Sequence, residues 1–246
     1  MESNVSYYQR LLAGDQDEAA EILEEHLEDH PIEETYDNVL VPALNYARRD
    51  RAFGRLGEDD QQFIYQATRE ILDDLNGLKP GAFSSSGATA RINNTSPLSA
   101  SRFRIVGCST RDDADELALL MFRQLLDPTR YELTIIDDQT LTSKVIDQIA
   151  EQSPALVCIA SLPPGGLAQT RYLCKRLRKR FPDLKIIVGR WGNRGEHNGD
   201  SLRAAGADHV GTTIGETRDQ VIQLSQITSS TDTTDHALQS ADGNQP

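Results

Sequence analysis

Short apolar runs alternate with helix-like segments throughout the second half of the chain. Each run has the length of a buried strand, and the segment after it repeats its apolar residues at helical spacing. The five runs are Phe103–Val106, Leu133–Ile136, Leu156–Ile159, Ile186–Val188 and His209–Val210. Strands that alternate with helices form a parallel sheet, because each crossover helix carries the chain back to the same end of the sheet. The pattern predicts an α/β fold: a five-stranded, doubly wound parallel sheet with the flavodoxin-like strand order 2-1-3-4-5.

The N-terminal part of the chain indicates a helical bundle. After Asp15, a residue type that caps helices, Leu23 and Leu27 lie at helical spacing within an amphipathic run. A later segment carries its apolar residues on one face and contains Pro42, which we expect to kink the helix. Four or five short amphipathic helices with brief connections pack as a bundle. We therefore predict a helical module over residues 1–78.

Composition divides the rest of the chain. Residues 79–101 are rich in Gly, Ser, Pro, Thr and Asn, and a segment of this kind cannot bury enough apolar surface to fold. The last residues of the chain have a similar composition. We therefore predict a flexible linker at 79–101, a flavodoxin-like domain at 102–227 and a disordered tail at 228–246.

The excess negative charge is concentrated in the helical module. The chain carries a net charge of −13, and residues 1–80 hold 7 basic against 19 acidic side chains, a net of −12. Such a surface repels phosphates, so we expect no nucleic-acid partner. No apolar stretch reaches the ~20 residues that span a bilayer, and the N-terminus lacks the pattern of a secretory signal. With three cysteines and no CxxC spacing, the sequence predicts a cytoplasmic protein.

Small and polar residues follow the predicted strands at the points where the strands end. In an open parallel sheet, ligands bind at this carboxyl edge, beside the switch point between strands 1 and 3. The predicted ligand site comprises Ser109, Thr110 and Asp112 after strand 1, Ser161 and Gly165 after strand 3, Gly189, Arg190 and Trp191 after strand 4, and Thr212 after strand 5. The same residue types also build ordinary turns, which leaves an empty crevice as the alternative. Trp191 would cover the crevice or stack on a small-molecule ligand.

The sequence offers few candidates for catalysis or metal binding. His26 and His30 have the i, i+4 spacing that can hold a metal, but no third ligand accompanies them, which favours a solvated helix face. Cys108 has no neighbouring histidine to activate it, which favours a packed thiol. Asp112 and Asp113 resemble the acidic pair of a response regulator, but no lysine follows strand 5, and Asp112 suits a helix cap. We therefore predict no catalytic residue, no metal site and no enzyme activity.

One predicted helix of the second half is strongly basic. Its charged side chains are Arg171, Lys175, Arg176, Arg178, Lys179 and Arg180. The first interpretation is a solvated helix face, because Leu173 and Leu177 lie at the spacing of an inward face. Docking against the acidic helical module is the next alternative, and contact with a phosphate or a membrane surface also remains open.

A helical bundle that leads into a flavodoxin-like domain resembles the cobalamin-binding module of methionine synthases, corrinoid proteins and cobalamin-dependent sensors. The segments LLAGDQDEAAEILEEHL and IEETYDNVLVPAL look like the helical cap of that family. The resemblance covers most of residues 5–226, and it implies cobalamin as the cofactor to consider.

The motifs of the family are only partly present. Its DxHxxG motif, which supplies the cobalt-ligating histidine, corresponds here to a segment that begins at Asp112, with Ala114 for the histidine and Leu117 for the glycine. Its S-x-L element is approximated by Ser161-Leu162-Pro163, and its Gly-Gly pair after strand 4 by Gly189-Arg190. The resemblance implies that Arg190 projects into the space that a corrin tail needs. Ligation of cobalt through the loop after strand 1 is therefore not expected.

A closer resemblance accounts for these departures. SYYQRLLAGDQDEAAEILEEHL, YDNVLVPAL and LVCIASLPPGGLAQTRYLCKRLRKRFPDLKIIVGRW are similar to the cytoplasmic C-terminal extension of autoinducer-2 exporter family (PerM-like) permeases. This resemblance implies a non-enzymatic regulatory or ligand-sensing domain, tethered to the inner membrane by the permease portion of the same or a neighbouring chain. A homo-oligomer remains open. The alternative is a cobalamin-binding sensor or carrier domain without the usual histidine, and the missing histidine disfavours a corrinoid methyl carrier enzyme.

Overall fold

The computed structural model of the protein describes residues 2–77, 102–136, 140, 142–192 and 199–226. The predicted linker at 79–101 and the predicted tail at 228–246 lie outside the described residues. Within the described part, a helical region precedes a five-stranded sheet with flanking helices, as the sequence predicts. No helix of this described part is long and apolar enough to cross a membrane.

The helical region consists of short helices with brief connections. They are α1 Ser3–Leu12, α2 Gln16–Asp29, α3 Ile32–Thr35, α4 Val41–Ala52 and α5 Glu58–Gly77. The predicted cap of α2 is confirmed, because the Asp15 carboxylate accepts a hydrogen bond of 3.1 Å from the backbone N–H of Glu18. Three acidic residues open α5, where the partial positive charge of a helix N-terminus favours them.

A wide π-helical turn, Tyr36–Leu40, joins α3 to α4 without a break in the helix. It ends two residues before Pro42, which lies in the first turn of α4. A proline has no N–H to donate to the carbonyl four residues earlier, and its ring crowds that carbonyl. A widened turn relieves this crowding, as bulges of this kind do in other helices. The irregularity predicted at Pro42 therefore takes the form of a π-helical turn.

The sheet has five parallel strands. They are β1 Phe103–Ser109, β2 Tyr131–Ile136, β3 Leu156–Ala160, β4 Lys185–Gly189 and β5 His209–Gly211. Their order is β2-β1-β3-β4-β5, which confirms the flavodoxin-like topology. At the centre, Gly107 of β1 pairs with Ile135 on one side and Cys158 on the other. From β1 the chain adds β2 on one side, and it then adds β3, β4 and β5 on the other side. The switch point therefore lies between β1 and β3, where the sequence predicts it.

Helices cover both faces of the sheet. They are α6 Asp113–Gln124, α7 Thr142–Gln152, α8 Leu167–Arg180, α9 Gly199–Arg203 and α10 at 214–226. Successive strand residues point to opposite faces, so Ile105 belongs to a core with α6, α10 and the helical region. Val106 belongs to a second core with α7, α8 and α9. The helical region and α8 therefore lie on opposite faces of the sheet.

The helical region and the sheet region share one continuous apolar core. Polar contacts around this core fix their relative position. Arg69 of α5 pairs with Glu116 of α6 at 3.1 Å, and Arg218 of α10 pairs with Glu33 of α3 at 3.2 Å. The hydroxyl of Tyr36 donates to Gln124 at the end of α6. The helical region is therefore packed against the sheet rather than held at a distance from it.

Candidate functional site

The nine residues of the predicted site lie at the carboxyl edge of the sheet, as expected. The structure joins Ser161, Gly165 and Arg190 by hydrogen bonds. Thr212 stands apart, because it is exposed and its N–H and hydroxyl both donate to Glu216. Ser109 is buried and donates to the carbonyl oxygen of Ile136 at 3.4 Å. The side chains of Ser109, Ser161, Arg190 and Thr212 are thus hydrogen-bonded within the protein.

Arg190 occupies the space behind the loop after β3. Its side chain is 1 % exposed. The guanidinium donates from Nη1 to the carbonyl oxygens of Ser161 at 2.9 Å and Gly165 at 2.8 Å, and to the Ser161 hydroxyl at 3.2 Å. The Ser161 hydroxyl also accepts a hydrogen bond of 2.8 Å from Thr170. Arg190 therefore fills part of the crevice as a bonded, buried cation.

Trp191 lies in the core and does not face the crevice opening. It is fully buried, its indole N–H donates to the Thr217 hydroxyl at 2.8 Å, and its ring lies 5.8 Å from that of Phe122. The indole covers Gly189 so closely that a β carbon there would stand 2.3 Å from the Trp191 Cε2 atom. Only glycine fits at position 189 beneath this indole.

A buried arginine from the helical region, which is not among the nine residues of the predicted site, joins the two parts of the molecule. Arg48 of α4 is 3 % exposed. Its guanidinium donates to the carbonyl oxygen of Leu162 after β3 and to the carboxylates of Asp112 and Asp115 after β1, the Asp115 bond measuring 2.9 Å. Arg48 therefore connects α4 with both loops that flank the switch point.

Asp115 is the buried anion of this cluster. It is fully buried and accepts hydrogen bonds from the backbone N–H of Leu162 at 2.8 Å and the hydroxyl of Thr110 at 3.0 Å, besides that of Arg48. Burial raises the pKa of Asp115 above its ordinary value, and the Arg48 guanidinium acts in the opposite direction. Asp112 also accepts from the N–H of Ala114, which confirms it as a helix cap.

A second contact holds the helical region to the far end of the sheet. Asp37, in the π-helical turn, accepts hydrogen bonds from the backbone N–H of Ile214 at 2.6 Å and Gly215 at 3.1 Å. These groups form the N-terminus of α10, where a carboxylate satisfies free N–H groups. Asn45 adds a hydrogen bond of 3.4 Å to the carbonyl oxygen of Trp191. The helical region thus caps α10 from outside.

Arginines from three elements hold the loop after β3. Gly165 and Gly166 have φ values of +88° and +73°, a conformation that glycine adopts without strain. The carbonyl oxygens of Ser161 and Gly165 accept from Arg190, that of Leu162 from Arg48 and that of Pro164 from Arg111. These bonds hold the loop in place beside the switch point.

Two open grooves lie away from this closed edge. One, of about 460 Å³, lies at the amino edge of the sheet and is lined by Ile149, Pro154, Phe181 and Leu184 among others. The other, of about 400 Å³, runs along α5 beside Phe63 and Arg69. Neither is lined by any residue of the predicted ligand site.

Comparison with known proteins shows the fold alone. The sequence matches no protein-family model and none of the curated proteins. Among solved structures, the chain is similar to the monomethylamine corrinoid protein of Methanosarcina barkeri, with 12% identity over 89% of this chain and 96% of that one, and a TM-score of 0.62. A cobalamin-binding protein from Desulfitobacterium hafniense DCB-2 also matches, with 14% identity over 89% of this chain and 97% of that one, and a TM-score of 0.44.

The fold of this chain is therefore similar to that of the Methanosarcina barkeri corrinoid protein, and in this chain it consists of a helical region followed by a five-stranded parallel sheet. Nothing in these comparisons supports the resemblance to permease extensions, so that association stays a prediction. At 12% identity, the similarity to the corrinoid protein does not show which ligand, if any, this chain binds.

The residues of this chain do not fit a histidine-ligated corrinoid with an inserted tail. Ala114, which the resemblance to cobalamin-binding modules aligns with their ligating histidine, is fully buried. Within the described ranges, no group of His, Cys, Asp and Glu side chains is arranged to hold a metal ion. The buried side chain of Arg190 fills the space behind the loop after β3. A corrinoid tail inserted there would have to displace Arg190.

Proposed function

We propose that this chain is a non-enzymatic regulatory or ligand-sensing domain, in which the crevice of a cobalamin-binding-domain-like fold is closed by the chain's own side chains. The observation that supports the proposal most strongly is the set of hydrogen bonds made by Arg48. It reaches from α4 into the switch point and bonds the two loops that a ligand would separate. The helical region therefore senses the state of the crevice directly.

Opening such a crevice breaks contacts between buried groups. Arg48 and Asp115 are both buried, and the hydrogen bonds of Arg48 to Asp115 and to the carbonyl oxygen of Leu162 must be lost when the two loops separate. A ligand or partner that binds the open form must compensate for these lost contacts, and it then shifts the population from closed to open. Any binding event at this edge is thereby coupled to the position of the helical region.

The paired state of the polar groups supports a non-enzymatic role. Asp112 and Asp115 both bond to Arg48, which leaves these groups poorly placed to act on a substrate. The thiol of Cys108 lies at the end of β1, but burial raises its pKa to about 12. A thiol in this state is not a nucleophile at neutral pH.

The proposal is tested by titrating the purified chain with hydroxocobalamin and adenosylcobalamin, followed by absorbance and calorimetry. We expect no spectral shift and no saturable heat at high micromolar cobalamin, because the crevice is filled. A saturable shift in the absorbance of the corrin would overturn the closed crevice and establish the second candidate.

That second candidate is a corrinoid-binding sensor or carrier domain without a histidine ligand. The similarity in fold to the Methanosarcina barkeri corrinoid protein favours it. If it holds, Arg190→Gly should strengthen cobalamin binding by clearing the space behind β3, whereas Arg180→Gly, an exposed position on α8, should leave binding unchanged. Equal binding by both variants would place the ligand outside the crevice.

The permease association rests on the sequence resemblance alone. It predicts a cytoplasmic domain, tethered at the inner membrane by the permease portion of the same or a neighbouring chain. Sequencing of the encoding gene and its neighbours tests it. Membrane-spanning segments directly upstream would support the association, and an independent start codon with its own regulatory signals would count against it.

A further inference from the structure

Two exposed helix faces of opposite charge lie on opposite sides of the molecule. The exposed acidic residues of α2 are Asp17, Glu18, Glu21, Glu24, Glu25, Glu28 and Asp29. The exposed basic residues of α8 are Arg171, Lys175, Arg176, Lys179 and Arg180, and α8 contains no acidic residue. Both helices have 14 residues, so each face is about 21 Å long.

The basic face of α8 is separate from the part of the helix that holds the fold. Leu173, Cys174 and Leu177 are buried against the sheet. Arg178 also has a structural contact, because its guanidinium pairs with Asp208 at 2.7 Å and donates to the carbonyl oxygen of Gly206. The five exposed basic residues lie on the other side, with Tyr172, which is 52% exposed, among them.

The two faces cannot meet within one molecule of this structure. The helical region lies on the α6 and α10 face of the sheet, and α8 lies on the opposite face. In the described part of the chain, no ion pair joins α2 to α8; the one carboxylate of α2 in an ion pair is that of Glu18, with Arg10. Docking of α8 onto the acidic module of its own chain, an alternative from the sequence, is therefore not observed.

We propose that the acidic face of α2 binds the basic face of α8 of a second copy, so that the chain associates head to tail. The two faces are opposite in charge and equal in length. Both repeat their charged residues about every four positions, as Glu21 and Glu25 do on α2 and Lys175 and Lys179 do on α8. Such a contact is heterologous: each copy leaves one face free for the next, which produces rings or short open chains.

The acidic face of α2 offers more negative charge to α8 than the chain's own C-terminal residues do. The residues at 228–246 include Asp232, Asp235 and Asp242 as their acidic residues, against seven exposed on α2. Exposed ion pairs are individually weak, so the association should be reversible and sensitive to salt.

Sedimentation velocity of the full chain at increasing concentration tests the proposal. At about 20 mM NaCl, where charges are weakly screened, the weight-average mass should rise above the 27.2 kDa monomer as concentration increases. At about 500 mM NaCl, where the Debye length is only a few ångströms, it should return to the monomer mass. A monomer at every concentration in low salt would overturn the proposal.

Charge reversal identifies the two faces. Lys175→Glu with Lys179→Glu on α8, and Glu21→Lys with Glu25→Lys on α2, should each be monomeric alone, because each removes one half of the contact. A mixture of the two variants should associate again, since every face then meets one of opposite charge. Arg102→Glu with Lys144→Glu is the control for the α8 variant. It makes the same change of net charge at exposed positions outside α8, and it should associate like wild type.

The other partners give different results. Binding of wild type to phosphatidylserine vesicles or to polyphosphate through α8, with no self-association in low salt, would assign the face to an anionic surface and overturn the proposal. Loss of association on removal of residues 228–246 would assign the acidic partner to that segment instead. Failure of the variant mixture to associate would also contradict the pairing of α2 with α8.

Discussion

On one face of the sheet, the helical region is joined to the strand ends by charges that lie inside the protein. On the other face, α8 carries its charges on the outside. Arg48 is 3 % exposed and pairs with a fully buried carboxylate, whereas Arg171 and Lys175 are exposed on α8. A buried charge needs its partner in order to be tolerated, but an exposed charge is stabilised by water. The first arrangement fixes one conformation, and the second leaves a surface free to bind.

Breaking the buried contact should have the largest effect. Arg48→Met keeps much of the side-chain volume but leaves the Asp115 carboxylate buried without its cation. Removal of one partner from a buried pair costs about 3–5 kcal/mol in unfolding free energy. Urea unfolding of wild type and variant measures this loss.

The matched control is Arg49→Met. Arg49 is half exposed, and the nearest carboxylate oxygen, on Asp50, lies 3.8 Å from its Nε atom, so we expect a change below about 0.5 kcal/mol. Adding Asp115→Asn to Arg48→Met should recover part of the loss, because the amide oxygen still accepts hydrogen bonds without a charge. Equal losses for the two arginine variants would remove the distinction between buried and exposed charges.

The close packing on the same face is tested by Gly189→Ala. The added methyl group would stand 2.3 Å from the Trp191 Cε2 atom, so the indole or β4 must shift. Overpacking of this kind costs about 1–3 kcal/mol. Because Trp191 is the single tryptophan of the chain, its fluorescence reports the displacement directly, and we expect a red-shifted emission.

Gly77→Ala is the control for this substitution. Nothing lies within 4 Å of a β carbon at Gly77, and alanine suits a helix better than glycine does. We expect unchanged fluorescence and unchanged or slightly raised stability. An unshifted emission in Gly189→Ala would mean that the indole does not lie over the end of β4.

The sheet could be predicted from sequence because its signals are local. Each strand is a short apolar run. The alternation of strands and helices predicts the strand order, and with it the switch point between β1 and β3. The helix cap at Asp112 was equally visible, because its partner, the N–H of Ala114, is two residues away. A pattern within one segment is sufficient for all of these features.

The closing contact could not be predicted, because its partners lie far apart in the chain. Arg48 and Asp115 are separated by 67 residues, and an arginine near the end of a helix usually indicates a solvated cation. One signal was present: Arg48 follows Leu44 by four residues and so continues the buried face of α4. The burial of Trp191 was missed for a similar reason, since its partners, Phe122 and Thr217, come from two other helices.

A smaller effect is expected at the second contact of the helical region. Asp37→Ala removes the carboxylate that accepts from the N–H groups of Ile214 and Gly215, and the loss of a helix cap costs about 1 kcal/mol. Asp183→Ala, an exposed position on the α8 side, should change the unfolding free energy by less than half as much. Equal effects at both positions would contradict a stabilising contact between Asp37 and the N-terminus of α10.

The smallest effect is a pH dependence from the same carboxyl group. Burial raises the pKa of Asp37 above its ordinary value of 3.8, although the N–H groups that it accepts from act in the opposite direction. The folded protein then keeps this proton to a higher pH than the unfolded chain does. Asp37 therefore contributes stability at low pH and loses it as the pH rises through its folded pKa.

Asp37→Asn isolates this contribution, because the amide keeps the shape of the side chain and does not titrate. Between about pH 4 and about pH 7, the unfolding free energy of wild type should fall relative to that of the variant. Asp115, whose pKa burial also raises, titrates in both proteins and cancels from the difference. A difference that instead grows in favour of wild type with pH would show that the N-terminus of α10 stabilises the ionised carboxylate more than burial opposes it. The Asp37 contact, like the Arg48–Asp115 pair, would then depend on an ionised side chain. Charged groups would stabilise the packing of the helical region at both contacts, with the loops after β1 and β3 and with α10.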